Sequence, residues 1–170
     1  MSRAALLCAP LAACATPEAP TPLGVPLTGS CAVLEDSTGL TVQAASEDGT
    51  VFLQLDHAVP DALREGVGNA AYELANLADE PPELHIYTGV DLGPPCADPT
   101  ADASWLADYR AIGGSMYLSY VNGGLGTVES GTVDVAMTHL VLRSGEDDAF
   151  YYGDLRLGTI PIETPADVVE

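Results

Sequence analysis

The chain has 170 residues, with 25 acidic side chains against five arginines and no lysine, and a formal net charge of −20. Nucleic acid would be repelled by such a chain rather than neutralised, so phosphate-backbone recognition is excluded, and anionic head groups repel the body in the same way. A hydrophobic fraction of 47% excludes a disordered chain despite the charge, and the acidity suits a soluble, self-repelling surface.

The first fifteen residues read MSRAALLCAPLAACA. One arginine precedes a short apolar run that ends in small residues, the layout of a secretory signal. Leu11-Ala12-Ala13-Cys14 resembles the lipobox of bacterial lipoprotein precursors. That resemblance implies cleavage before Cys14, a diacylglyceryl group on its thiol, and residues 1–13 as the signal peptide. It also implies an exported, membrane-anchored lipoprotein, on an outer membrane or a periplasmic or extracellular face; Ala15 in place of Asp resembles outer-membrane lipoproteins of some Gram-negative bacteria. Ala13-Cys14-Ala15 fits the A-x-A pattern of ordinary signal cleavage as well, which would release a soluble protein. Two or more acyl chains hold a protein stably where one does not, at about 0.8 kcal/mol per buried methylene. No later apolar run has the length to span a bilayer, so the membrane is expected as a partner through the lipid alone.

Residues 14–30 form the lipidated cysteine and a stalk with prolines at 17, 20, 22 and 26, a composition that favours extended chain and suits a spacer. With Cys8 in the signal and Cys14 lipidated, Cys31 and Cys96 remain as an even pair in an oxidising compartment and are expected to form a disulfide. Such a bridge closes a loop of about 65 residues, worth roughly 4 kcal/mol in the chain-entropy picture.

Residues 31–170 are expected to form one domain. Leu40 to Ala44 and Val51 to Leu55 alternate and flank the Ser46-Glu47-Asp48-Gly49 turn, which predicts a hairpin. Asp61 to Ala78 fits a short helix capped by Asp61, with Tyr72 to Leu77 equally readable as a strand, since Gly66 and Gly68 oppose the helical spacing of Leu63, Val67, Ala70, Ala71 and Leu74. Glu83 to Val90 alternates, and Asp91 to Thr100 is a Pro- and Gly-rich turn holding Cys96. Ser115 to Val121 and Gly131 to Met137 follow as strands. His139 to Leu142 continues the second past a bulge, because the apolar side switches there. Phe150 to Leu157 and Thr159 to Ile162 close the chain. Seven to nine strands with frequent turns predict an all-β, two-sheet antiparallel β-sandwich.

No catalytic residue and no cofactor follow from the pattern. His57, His85 and His139 stand apart, without zinc-hydrolase spacing. Met116, Met137 and His139 would suit copper(I), although a core-filling methionine is commoner. Glu35-Asp36, Glu47-Asp48 and Glu146-Asp147-Asp148 are acidic turns, and Asp147 with Asp148 is the best candidate for Ca²⁺ ligands, without an EF-hand loop. Gly113-Gly114-Ser115 lacks the closing glycine of a nucleophile elbow. Trp105, Tyr109, Tyr117, Tyr120, Tyr151 and Tyr152 could stack on sugars, although tyrosine is equally a strand former. The expectation is an envelope-anchored lipoprotein with a non-catalytic binding or structural module and an envelope protein or glycan as partner. The alternatives are a secreted glycosidase- or esterase-like hydrolase using a carboxylate pair, and a Ca²⁺- or carbohydrate-binding adhesion module.

Overall fold

A computed structural model describes residues 22–35, 39–58, 68–74, 82–97, 103–121, 131–145 and 149–163. Eight strands occupy them: β1 (Leu27–Glu35), β2 (Gly39–Ser46), β3 (Val51–Ala58), β4 (Gly68–Glu73), β5 (Glu83–Val90), β6 (Ser104–Val121), β7 (Thr132–Arg143) and β8 (Phe150–Glu163). The sheet runs β6-β5-β3-β2-β1-β8-β7 and returns to β6, so seven strands close a barrel, and β4 adds to β6 as an eighth. Every pairing is antiparallel except β1 with β8.

The two-sheet sandwich predicted above therefore does not form. Alternation shows that one face of each strand is buried, and a barrel buries one face just as a sandwich does. Sequence pattern also missed that residues 104–114 are strand, continuous with 115–121. At about 3.3 Å per residue, β6 is roughly 60 Å long. That length lets it pair with β5 along its first half and with β4 along its second, while its far edge takes β7 from Arg110 to Val121. The segment 68–73, read as helix or strand, is β4; residues 61–67 and 75–78 of that stretch lie outside the described residues. β1 starts at Leu27, so Leu27 to Ser30, assigned to the spacer, belong to the wall.

The bulge expected near His139 is present and has company. His139 takes a left-handed φ of 54°, and the register slips between Met137 and Leu140. On β6 the slip falls at Gly113 and Gly114, and on β8 Gly153, with φ 109°, lies opposite Leu140. A Cβ on Gly114 would meet the Thr138 and His139 carbonyl oxygens at 2.8 and 2.9 Å, so only glycine lets β6 approach the bulge. The backbone N–H of His139 donates to Asp154 Oδ1 at 2.9 Å. Three neighbouring strands thus bend at one level, which turns the sheet enough to close it. Side-chain parity flips there: Val133, Val135 and Met137 are buried on one side of the bend, Leu140 and Leu142 on the other.

The interior is packed solid with aliphatic side chains, among them Leu40, Leu53, Leu55, Ile86, Leu118, Leu140 and Ile160, each 1% exposed or less. A smaller cluster of Ala45, Phe52 and Leu92 lies outside the wall, partly covered by Tyr87. An apolar inside and a polar outside reverse the polarity of a lipid-facing barrel.

Candidate functional site

The buried Thr88 hydroxyl of β5 and one polar cluster interrupt the apolar interior. His57 is the last inward side chain of β3, and Tyr72 of β4 and Tyr120 of β6 close over it. His57 Nε2 and the Tyr72 hydroxyl lie 3.1 Å apart, and the rings meet at 4.8 Å between centroids; Tyr120 stacks at 6.5 Å. Burial pushes the His57 imidazole down to about 4, so it is neutral at physiological pH. Burial, then the neighbouring Tyr72, raises the Tyr120 hydroxyl, and burial raises Tyr72. His57 Nδ1 and the Tyr120 hydroxyl, and elsewhere in the interior the Thr88 hydroxyl, have no partner among the described residues. His57 is 4% exposed and Tyr72 half-buried, so among the described residues the imidazole presents almost no surface.

The sequence-predicted residues scatter. Cys31 and Cys96 do meet, as a disulfide with Cα atoms 6.1 Å apart, tying β1 to the turn after β5. The Cys96 backbone N–H donates to Gln43 Oε1 at 2.7 Å on the outer wall. Cys14, Asp147 and Asp148 lie outside the described residues. Asp48, in another acidic turn, is already occupied: Oδ1 accepts from the Ser46 and Thr50 hydroxyls, each at 2.7 Å, and from the Thr50 N–H at 3.1 Å. Those bonds, Ser46 first, lower its carboxyl and make it a turn cap.

The three histidines go three ways: His57 inward, His85 to the outer face of β5 and His139 to the bulge of β7. Met116 and Met137 pair across β6 and β7 in the core, and His139 is exposed beyond the bulge, so the three do not converge. No group of three or more His, Cys, Asp or Glu side chains suited to a metal ion occurs among the described residues. Ser115 donates to Glu73 Oε1 at 3.0 Å, with no histidine in the arrangement. Of the six aromatic residues flagged, Tyr109 and Tyr120 are buried and Tyr152 is half-buried, which leaves Trp105, Tyr117 and Tyr151 exposed.

Two of those three sit in distinct outer patches. Trp105 meets Tyr87 edge-on at 4.7 Å and Phe52 at 5.9 Å, while His85 stacks on Tyr87. Beside them His85 Nδ1 lies 2.8 Å from Asp108 Oδ1, and Arg110 lies 3.7 Å from Glu83. Burial first, then Asp108, Asp56 and Glu83, raises the Tyr87 hydroxyl. This patch satisfies itself.

The second patch is a groove of about 440 Å³ on the wall formed by β4, β6 and β7, with Arg156 of β8 at its rim. Register places Ala71, Tyr117, Ala136 and Arg156 in one cross-strand row, and Asn69, Ser119, Asp134 and Thr159 in the next. Arg156 Nε lies 3.9 Å from Asp134 Oδ1, and the Thr159 hydroxyl donates to Asp134 Oδ2 at 3.2 Å. Of these residues, only Tyr117 was singled out from the sequence as a candidate ligand-binding side chain. Asn69, Asp134 and Arg156 come from three strands far apart in the chain, and only pairing register joins them.

The chain matches no family model, no curated protein and no solved structure.

Proposed function

We propose that the chain is an exported, lipid-anchored envelope protein whose filled barrel is displayed as a non-catalytic binding module. One observation carries the reading: the Cys31–Cys96 disulfide, which suits an oxidising compartment and leaves Cys14 of the lipobox-like segment, like Cys8 of the leader, outside the pair. The packed interior supports recognition on the outer wall, since side chains occupy the space a carried ligand would need.

The test is metabolic labelling with a palmitate analogue in a bacterial host. Wild-type chain takes up label and partitions into the membrane fraction, and Cys14→Ser abolishes both. Label persisting in Cys14→Ser, or none on the wild type, overturns the assignment.

A further inference from the structure

We propose that the groove across β4, β6, β7 and β8 binds a neutral oligosaccharide, with Tyr117 as the stacking platform and Asn69, Asp134 and Arg156 as the hydroxyl-binding groups. This inference rests on the reading of the barrel as a binding module and names the ligand class and the residues.

Tyr117 carries the argument. The residue is 48% exposed, and its cross-strand neighbours on both sides, Ala71 and Ala136, carry only a methyl group. In most sheets an aromatic ring packs on large cross-strand partners and gains from burial. Here alanines leave both edges of the ring clear, so the groove has an aromatic floor with low walls. The negative face of an aromatic ring attracts the weakly positive C–H groups of a pyranose.

The adjacent row supplies the polar half of recognition. Asn69 offers an amide that both donates and accepts, Ser119 a hydroxyl, Asp134 a carboxylate and Arg156 a fork of donors. The side chains of Asn69, Ser119 and Tyr117 make no hydrogen bond with another described residue. Asp134 and Arg156 pre-orient each other at 3.9 Å, with Arg156 76% and Asp134 35% exposed, so both remain open to a ligand. Sugar hydroxyls both donate and accept, so carboxylate and guanidinium can each engage them. Sheet neighbours lie about 4.8 Å apart, so the four strands span roughly 14 Å, the reach of a short oligosaccharide. The volume of about 440 Å³ falls among small-molecule sites.

Charge selects within the class. Asp134 and Arg156 balance locally, while the chain as a whole carries −20, which repels phosphorylated or uronate-bearing glycans. A neutral sugar meets no such repulsion.

The test is titration of the full chain in detergent micelles with cellohexaose, maltohexaose and N-acetylchitohexaose, read by calorimetry and by the aromatic NMR signals of Tyr117. At least one saccharide binds and shifts the Tyr117 ring signals. Tyr117→Ala weakens it tenfold or more, Tyr117→Phe keeps it within threefold, and Asp134→Asn weakens it severalfold. Circular dichroism confirms that the variants, at exposed Tyr117 and half-buried Asp134, stay folded. Binding unchanged in Tyr117→Ala overturns the groove and leaves the binding-module reading standing. No binding of any of the three at millimolar concentration overturns the glycan inference itself, while label on Cys14 continues to report the anchor independently.

Discussion

The barrel closes at two seams that differ in almost every respect. Between β6 and β7 the chain pairs antiparallel from Arg110 to Val121. Between β1 and β8 it pairs parallel, and only Ala32 and Val33 meet Ile162 and Glu163. The first seam joins consecutive strands, so little chain entropy is lost in closing it. The second joins the first strand to the last, across nearly the whole described chain, for a short ladder. Elsewhere on the strands of that seam, Leu27 of β1 and Leu155 and Leu157 of β8 pack on the core without pairing β1 to β8. The disulfide is anchored at Cys31, next to Ala32. The covalent staple therefore holds one strand of the short ladder, and the comparison makes the first-to-last seam the weak one.

Removing the staple tests this most severely. Cys31→Ser with Cys96→Ser is expected to lose about 4 kcal/mol, from the 65-residue separation, measured as a lower guanidinium midpoint. Hydrogen exchange in that variant accelerates first at Val33 and Ile162; uniform acceleration across β6 and β7 would contradict the ranking of the seams. Core truncations come next. Leu142→Ala, fully buried between β6 and β8, is expected to cost about 3 kcal/mol, against about 2 for Ile162→Ala at the short seam, where the wall relaxes more easily. Equal costs would remove the distinction. Gly114→Ala sharpens the other side. Its φ of 111° and the 2.8 Å approach to the Thr138 carbonyl oxygen predict a loss of about 2 kcal/mol, even though the strong seam keeps its hydrogen bonds elsewhere. A neutral result there would mean that β6 bends without needing its glycine.

How much of this was legible follows from where the signals lie. Leu40 to Leu55 announced a hairpin because alternation and the Asp48 turn agree locally, and Glu83 to Val90 matches β5 residue for residue. The switch of apolar side near His139 revealed the bulge, since parity is written in the side chains. Residues 104–114 escaped because Ala111 to Gly114 carries almost no hydrophobic contrast, and glycines there read as a break when they serve a bend. Without that half of β6, closure was invisible and a sandwich was the natural inference. The groove was still less legible. Tyr117 stood out by type, but its alanine neighbours and the row from Asn69 to Thr159 exist only through register between distant strands.

The gentlest probe of the weak seam is a proton. His57 pairs with Leu40 and Leu40 with Leu34, so the imidazole sits on the level where β1 meets β8. Burial holds its pKa at about 4 in the folded chain, below roughly 6.5 for an unfolded histidine. The unfolded state therefore binds the proton first, and the stability that neutral His57 carries is whole above about pH 6.5 and is lost progressively toward pH 4. Carboxylates add their own acid limb below that, Asp48 among them, its lowered carboxyl losing stability as pH falls past the ordinary range. The difference between wild type and His57→Phe isolates the imidazole. That substitution strands the Tyr72 hydroxyl at a pH-independent cost of about 1 kcal/mol. Urea midpoints of the two are expected to converge from pH 7.5 to 6.0 and to cross by pH 5.0 as wild type loses ground, with exchange at Val33 quickening before exchange at Leu118. Midpoints that fall in parallel would place His57 in water rather than in the core, and would detach the acid response from the seam.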